Sequence, residues 1–317
     1  MLVMQAAVAI GDAQKLAEMI GQDPGFDVNM DHGGVFTLLH HACQGDSRSA
    51  VIPLLLAHPD IDVNVKNKIG STSFYYACYG RPSCVREMLK DSRVKVNEPA
   101  KNGHTPLWIA AYDGHLYVIK WWIASGREMD LGKPGDGRTD AIGAAKEWRT
   151  TGVVTLLERF KQNPEETRHA VRLELGWYDE AAAEMFAIVV FVSDGLLQIK
   201  ETTIPSPAGK FFSIAAQLPL ELQMVLCYRV VRSPKEIIPG KESEAAFKAL
   251  AERLLWCSLF TSLEPWREEA RREPGVECVC SLFELAHYIK INRLGWISSR
   301  DVSWLKSRSL PAASCAA

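Results

Sequence analysis

The chain has 317 residues, of which 47% are hydrophobic and 23% charged, and its formal net charge is −2 at pH 7. This length and composition are typical of a globular protein large enough for two domains. Nucleic acids and anionic membranes attract proteins with a clear excess of Lys and Arg, so the near-neutral charge gives no reason to expect either partner.

The apolar segments are too short to cross a membrane, and none has the form of a secretion signal. Met1–Ile10 is apolar but has no basic region before it, and Gly11-Asp12 ends it early. The longest uncharged apolar run, Met185–Val192, is far short of the ~20 residues that span a bilayer. The eight cysteines, spread over predicted helices, favour free buried thiols in a reducing compartment. We therefore expect a soluble, cytoplasmic protein, with the nucleus as an open alternative.

From the N-terminus, the first half of the chain predicts a row of short helical hairpins. Leu2–Ala9 and Ala13–Ile20 form the first pair, separated by the turn Gly11-Asp12. In the second hairpin, Pro53 lies within an apolar segment. Because proline is tolerated only in the first turn of a helix, we place the start of that helix near Ser49.

The clearest hairpin begins at Thr105. Thr105 can cap a helix, Pro106 suits its first position, and Gly114 can take the left-handed conformation that ends it. The following segment, Leu116–Ile123, places Val118, Ile119, Trp122 and Ile123 on one apolar stripe. We therefore expect this second helix to fold back on the first.

The same pattern recurs with a period near 33 residues. Threonines equivalent to Thr105 occur at Thr37, Thr72 and Thr139, and a Val-Asn pair closes three successive units, at Asn29, Asn64 and Asn97. This period, with a Thr-Pro-Leu-His-like helix start, resembles the ankyrin repeat. The fourth copy keeps Thr-Pro-Leu with Trp108 in place of the motif's His, and the second reads Thr37-Leu38-Leu39-His40. The resemblance covers residues 1–161 in about five copies and implies an α-helical solenoid, with an ankyrin repeat domain at 1–163.

The second half of the chain has no such period and predicts an all-helical region. Residues 164–201 are expected to form a long helical connector, residues 210–306 a helical domain, and residues 307–317 a flexible tail. The predicted helices are Asp179–Ile199, Phe211–Ala216, Pro219–Val231, Glu242–Leu259, Pro265–Arg272 and Val276–Ile291. The expected fold class is therefore mainly α throughout.

No set of residues predicts catalysis, a cofactor or a metal site. Gly132–Gly137 is rich in glycine but lacks the Gly-Lys-Ser/Thr ending of a phosphate-binding loop. Cys278 and Cys280 have no second cysteine pair at zinc-finger spacing. His40 stands where the ankyrin motif places its structural histidine, which explains His40-His41 without a metal. We therefore expect a non-enzymatic protein.

The ankyrin resemblance implies binding of another protein through a concave surface, formed by the hairpin tips and the exposed side of each first helix. The expected contact residues at the tips are Lys68, Ile69, Ser71, Lys101, Asn102, His104 and Arg138. On the first helices, Gln44, Tyr79, Tyr112 and Lys146 form a row with one residue per repeat, and Asp113 lies beside it. Aromatic anchors are typical of protein interfaces, so Tyr79 and Tyr112 are the expected anchors. The alternative is that both rings only pack on neighbouring helices.

One motif in the second half suggests a different function. Leu218-Pro219-Leu220-Glu221-Leu222 resembles the Leu-Pro-x-Glu-Leu opening of F-box domains, which in some ankyrin proteins bind the adaptor of a cullin-type ubiquitin ligase. Pro219 would start the helix, and Leu222, Val225 and Leu226 would form its apolar stripe. The later Val-Cys-x-x-Trp segment of that family is missing. An F-box-like substrate receptor is therefore the alternative function, and exposure of this helix distinguishes the two.

Overall fold

The computed structural model describes residues 2–23, 25–30, 36–132, 139–199, 207–262 and 289–291. These residues fall into two compact units. One runs up to Leu175 and includes 259–262; the other runs from Gly176 to Ser258 and includes 289–291. A membrane-spanning helix would have to be longer and more apolar than any helix in these ranges.

Up to Leu175, the described residues of the first unit form five successive helical hairpins and one further helix. The hairpins are α1 (Leu2–Ile10) with α2 (Ala13–Gln22), α3 (Leu38–Ala42) with α4 (Ile52–Ala57), α5 (Ser73–Ala77) with α6 (Pro82–Leu89), α7 (Pro106–Tyr112) with α8 (Leu116–Ser125), and α9 (Ala141–Glu147) with α10 (Thr151–Gln162). The first helices pack in sequence, α1 on α3, α3 on α5, α5 on α7 and α7 on α9, and the second helices pack from α4 to α6 to α8 to α10. The predicted solenoid of helical hairpins is confirmed.

Side-chain caps fix where the first helices begin. Thr37, Thr72 and Thr105 each accept a hydrogen bond from the backbone N–H three residues on. In the fifth hairpin the cap is Asp140, whose Oδ1 accepts from the Gly143 N–H at 2.6 Å. A carboxylate at this position also interacts favourably with the helix dipole. The prediction that Thr139 marks this repeat is therefore wrong by one residue.

The asparagines of the Val-Asn pairs join consecutive hairpins. The Asn29 side chain donates to the Asp60 carbonyl at 2.6 Å and accepts from the Asp62 N–H at 2.8 Å. The Asn64 side chain repeats both bonds with Arg93 at 2.9 Å and Lys95 at 2.8 Å. Each amide thus uses its donor and its acceptor on the next hairpin, which fixes the spacing between the two.

Pro53 lies at an unstrained position. A 3₁₀ helix occupies Asp46–Val51, and α4 begins only at Ile52, so Pro53 falls in the first turn of the α-helix. There the missing N–H of proline has no helical partner to lose. The predicted helix start near Ser49 is thus wrong, because the preceding turn is 3₁₀ rather than α.

The helix α11 (Pro164–Glu174) follows the fifth hairpin and packs on α8 and α10. The Nε atoms of Arg168 and Arg172 donate to the carbonyls of Ile123 and Ala124, at 3.3 and 2.7 Å. These carbonyls lie in the last turn of α8, where the regular helical donors are missing. The Ile123 carbonyl also accepts from the Gly126 N–H at 3.3 Å. The segment 164–201, predicted as one connector, is therefore divided, with α11 on the hairpin side of Gly176.

The second unit contains α12 (Trp177–Ser193), β1 (Leu197–Ile199), α13 (Pro207–Ala215), α14 (Leu220–Val230), most of α15 (Gly240–Ser262) and β2 (Ile289–Ile291). Its core lies mainly between α12 and α14, where Phe186, Val189 and Tyr228 are almost fully buried. Tyr228 also donates a hydrogen bond to Asp179 on α12, at 2.8 Å.

A short antiparallel pair of strands interrupts the helices of this unit, with Leu197 opposite Ile291. The helix predicted to run to Ile199 ends at Ser193, because Gly195 adopts φ +72° and the Leu196 N–H turns back to the Phe191 carbonyl at 2.9 Å. The last three residues of the helix predicted for Val276–Ile291 are strand β2. The rest of that helix, the predicted helix at Pro265–Arg272 and the tail at 307–317 lie outside the described residues.

Candidate functional site

In α3 and α7, the side chain of the third helical residue ties one hairpin to the next. His40 Nε2 hydrogen bonds to the Ser71 carbonyl at 3.2 Å, while its Nδ1 lies 2.9 Å from the Thr37 hydroxyl. Two hairpins later, the indole Nε1 of Trp108 donates to the Thr139 carbonyl at 2.9 Å. Both bonds span 31 residues. Trp108 therefore supplies the same connection as the histidine that it replaces.

Acidification should weaken this stack. Burial lowers the pKa of His40 from 6.5, and the same cause lowers the pKa of His115. Below pH 6.5 the unfolded chain binds a proton that folded His40 does not, so the free energy of unfolding should fall as the pH drops from 7.5 toward 5.5. Urea unfolding at the two pH values measures this. The variant His40→Gln should show a smaller pH dependence than the wild type, and equal wild-type stability at both values would contradict the prediction.

The tips of the third and fourth hairpins lie against each other. The Lys101 N–H donates to the Ile69 carbonyl at 3.2 Å, and Lys101 Nζ donates to the Lys68 carbonyl at 2.7 Å. Gly70 has φ +77° and leaves no room for a Cβ, which would lie 2.6 Å from Lys101 Cγ. Lys68, Lys101 and Asn102 are exposed, as is 59% of Ile69. Four of the predicted tip residues thus share one accessible surface.

Ser71 and His104, predicted to face solvent at the tips, are instead buried. Ser71 is 1% exposed, since its carbonyl accepts from His40 and its N–H donates to Asn67 Oδ1 at 3.0 Å. His104 is 8% exposed, and its ring stacks on Trp108 at a centroid distance of 4.0 Å. Both residues directly precede a capping threonine, where the chain turns from the tip into the helix. Arg138 lies outside the described residues.

Two groups of aromatic rings lie on the first helices beside these tips. Tyr79, two residues past the end of α5, contacts Tyr75 and Tyr76 on that helix, at centroid distances of 5.6 and 6.3 Å. Burial and a hydrogen bond with Tyr79 raise the pKa of Tyr75, so its hydroxyl stays protonated. Tyr112 lies between Trp108, at 5.0 Å, and Trp148 of the next hairpin, at 4.6 Å. Tyr79 and Tyr112 are both partly exposed. They therefore pack on neighbours and still present surface to a ligand.

Trp148 is the aromatic residue that the sequence reasoning missed, and 55% of it is exposed. With Thr139 as the marker, Lys146 falls in the row with Tyr79 and Tyr112. With the observed cap at Asp140, the residue in that row is Glu147, and Trp148 follows it. Lys146 is exposed and pairs with Glu158 at 2.7 Å, which raises the pKa of Lys146. Asp113, at the end of α7, is also exposed.

The described His, Cys, Asp and Glu residues bear on two kinds of site, metal centres and reactive thiols. Among them there is no group of three or more His, Cys, Asp or Glu that could hold a metal ion. Cys43, Cys78, Cys84 and Cys227 are free and buried, and burial raises the pKa of each thiol. Residues 133–138 of the glycine-rich segment, together with Cys278 and Cys280, lie outside the described residues.

A model of ankyrin repeats matches three copies at residues 3–100. Residues 3–100 are ankyrin repeats. The fourth and fifth hairpins extend beyond this match, but α7 and α9 pack on their neighbours in the same order. We refer to the five hairpins together as the ankyrin domain.

Three curated proteins are similar in sequence to part of this chain. The human SMC5-SMC6 complex localization factor protein 1 is 32% identical over 148 residues, 44% of this chain and 14% of that protein. Its counterpart in Bos taurus is 37% identical over 91 residues, 28% of this chain and 8% of that protein. A putative ankyrin repeat protein of Rickettsia bellii (strain RML369-C) is 32% identical over 84 residues, 26% of this chain and 46% of that protein. The chain thus covers less than half the length of each of these relatives.

Proposed function

We propose that this chain is a non-enzymatic protein that binds a partner polypeptide through the concave face of its ankyrin domain. Ankyrin repeats are protein interaction modules, which makes binding of another protein the general function. Two observations together support the concave face. Lys68, Ile69 and Lys101 lie exposed on adjoining tips, and the partly exposed rings of Tyr79 and Tyr112 lie beside them. An interface with aromatic anchors and a charged rim has this composition.

The names of the relatives agree with such a role. SMC5-SMC6 complex localization factor protein 1 is named for locating a protein complex, and its similarity covers 44% of this chain. Since only 14% of that protein is covered, its partner is not assigned to this chain. The proposal is limited to a polypeptide ligand held by the repeats.

Site-specific photo-crosslinking tests the proposal. A photoreactive residue is placed at Lys101 or at the exposed Glu147 on the proposed face, and a matched control at Tyr117, which is 59% exposed on the second helix α8. After irradiation in a lysate of the source cells, we expect an adduct of the same mass from the first two positions and none from Tyr117. An adduct formed equally well from Tyr117 would contradict binding through the concave face.

An F-box-like receptor is the second candidate. The buried side of α14 consists of Gln223, Met224, Cys227 and Tyr228, while Leu222 is 51% exposed. The apolar stripe predicted from Leu222, Val225 and Leu226 is therefore not the side that packs most deeply. Exposed Leu222 near the start of the helix is the feature that favours adaptor binding.

Co-purification with the ligase adaptor tests this second candidate. Adaptor should be recovered with the wild-type chain and lost with Leu222→Asp, whereas Ile237→Asp, at a site 74% exposed outside α14, should retain it. If no adaptor is recovered under conditions that retain an authentic F-box protein, the second candidate is rejected.

A further inference from the structure

The tips of the third and fourth hairpins, residues 65–71 and 98–104, carry three lysines and one acidic residue. The lysines, which we call the tip lysines, are the exposed residues Lys66, Lys68 and Lys101. The acidic residue is Glu98, and its carboxylate lies 2.6 Å from Lys66 Nζ. The hydrogen bond from Lys66 lowers the pKa of Glu98, so this carboxylate stays ionised and paired. The two tips therefore keep an excess of positive charge.

Contacts across the two tips hold the lysine side chains in place. Lys101 Nζ donates to the Lys68 carbonyl at 2.7 Å, and Lys66 Nζ donates to the Pro99 carbonyl at 3.3 Å. A neutral carbonyl occupies one of the three ammonium donors and leaves the charge uncompensated. No carboxylate of the described residues pairs with Lys101. Its ammonium group is therefore held in position and still available to an anionic ligand.

An apolar residue and a group of aromatic rings lie beside the tip lysines. Ile69, which is 59% exposed, directly follows Lys68. On the same tip, Asn67 Nδ2 donates to the Tyr76 hydroxyl at 3.0 Å, and the Tyr76 ring contacts that of Tyr79 at a centroid distance of 6.3 Å. The positive surface thus adjoins the aromatic part of the proposed concave face.

We propose that the tip lysines bind an acidic segment of the partner polypeptide, with carboxylates paired to Lys68 and Lys101 and an apolar side chain placed on Ile69. This inference rests on the proposed function, because it names the chemistry of the ligand at the same face. Opposite charges on two partners speed association and exclude wrong partners more than they add affinity. The exposed Ile69 supplies the apolar contact area that ammonium groups lack.

An acidic polypeptide fits this surface better than a nucleic acid does. A protein that holds DNA through its phosphates makes several such contacts, about 6–10 in typical cases. Here Lys66 is already paired with Glu98, and the whole chain has a formal net charge of −2. A short acidic segment needs no more than the few cationic groups that the two tips present.

Selection from a library of random short peptides displayed on phage tests the charge preference. The wild-type chain should enrich peptides rich in Asp and Glu that also contain an apolar residue. The double variant Lys68→Glu, Lys101→Glu should instead enrich peptides rich in Lys and Arg, because its tips present the opposite charge. A misfolded variant would enrich neither class, so an exchanged preference shows direct contact with the tips.

Titration of a selected acidic peptide measures the size of the effect. Its dissociation constant should rise at least roughly tenfold in the double Glu variant. It should also rise as NaCl is increased from about 50 to about 300 mM, because salt screens exposed charges. The matched control Lys15→Glu, Lys161→Glu makes the same change in net charge at exposed sites on α2 and α10, and it should bind like the wild type.

The outcomes separate this proposal from the proposed function. If a partner polypeptide crosslinks at Lys101 but the selected peptides are neutral or basic, the acidic ligand is rejected and binding through the concave face stands. If no partner crosslinks at the concave face and no peptide is enriched, both proposals are rejected. A single-stranded DNA oligonucleotide that binds the wild-type chain more tightly than the selected peptide would also overturn the acidic polypeptide, in favour of a nucleic acid.

Discussion

Replacing Trp122 by Ala should lower the free energy of unfolding of the ankyrin domain by about 3–5 kcal/mol, which is the usual loss when a buried aromatic side chain is truncated to Ala. Trp122 is 0% exposed on α8, and its ring meets that of Phe74, from the preceding hairpin, edge to face at 5.1 Å. Its indole N–H donates to the Glu128 carbonyl at 3.2 Å. The substitution therefore removes an inter-hairpin contact and a partly buried hydrogen bond together.

The loss should spread from the fourth hairpin to its neighbours. In a solenoid each repeat is stabilised only by the repeats beside it, so weakening one interface weakens two units at once. Urea unfolding followed by circular dichroism gives the change in free energy, and hydrogen exchange should show the largest loss of protection in α6 and α8. The matched control is Trp148→Ala, where the ring is 55% exposed and the loss should be below about 1 kcal/mol. An equal loss in both variants would contradict the assignment of Trp122 to the core.

The hairpins could be predicted from the sequence because their signals are local. The stripe of Val118, Ile119, Trp122 and Ile123 is buried as expected, and Thr37, Thr72 and Thr105 cap the helices that they were predicted to cap. Within one hairpin, the capping residue, the turn glycine and the apolar stripe of the second helix are all close together in the sequence. The threonine cap is present in three hairpins and is replaced by Asp140 in a fourth, so the repeated pattern fixes the register to within one residue.

Contacts between distant residues were not predictable in the same way. The burial of Ser71 depends on His40 in the preceding hairpin, and no spacing within a single hairpin reveals that bond. The pairing of Leu197 with Ile291 joins segments more than 90 residues apart, where helical periodicity carries no information. The shift from Thr139 to Asp140 moved the predicted row by one residue, which placed Lys146 in it instead of Glu147. The exposure of Lys68, Ile69, Lys101 and Asn102 could be predicted from the local pattern of each hairpin alone. These four tip residues lie at the surface as expected.

Replacing Tyr79 and Tyr112 together by Ala should weaken binding of the partner identified by crosslinking at least 30-fold. Removal of one aromatic anchor costs about 2 kcal/mol. Since each 1.4 kcal/mol is a tenfold change in the dissociation constant, one anchor alone accounts for about 30-fold, and the loss of two independent anchors would exceed that value. Tyr112 also separates Trp108 from Trp148, so its loss leaves the exposed Trp148 ring without one of its supports. The dissociation constant from titration of the purified partner measures the change.

Two variants separate lost anchors from lost folding. Tyr79→Phe with Tyr112→Phe keeps both rings and removes only the hydroxyls, so binding should stay within a few-fold of the wild type if the rings carry the contact. Tyr117→Ala removes an exposed tyrosine on α8 and should leave binding unchanged. Thermal unfolding of the double Ala variant should remain cooperative, because both tyrosines lie at the edge of the core rather than within it. If a folded double Ala variant binds within twofold of the wild type, the two rings only pack on their neighbours, and the anchors of the concave face must be sought among the tip residues.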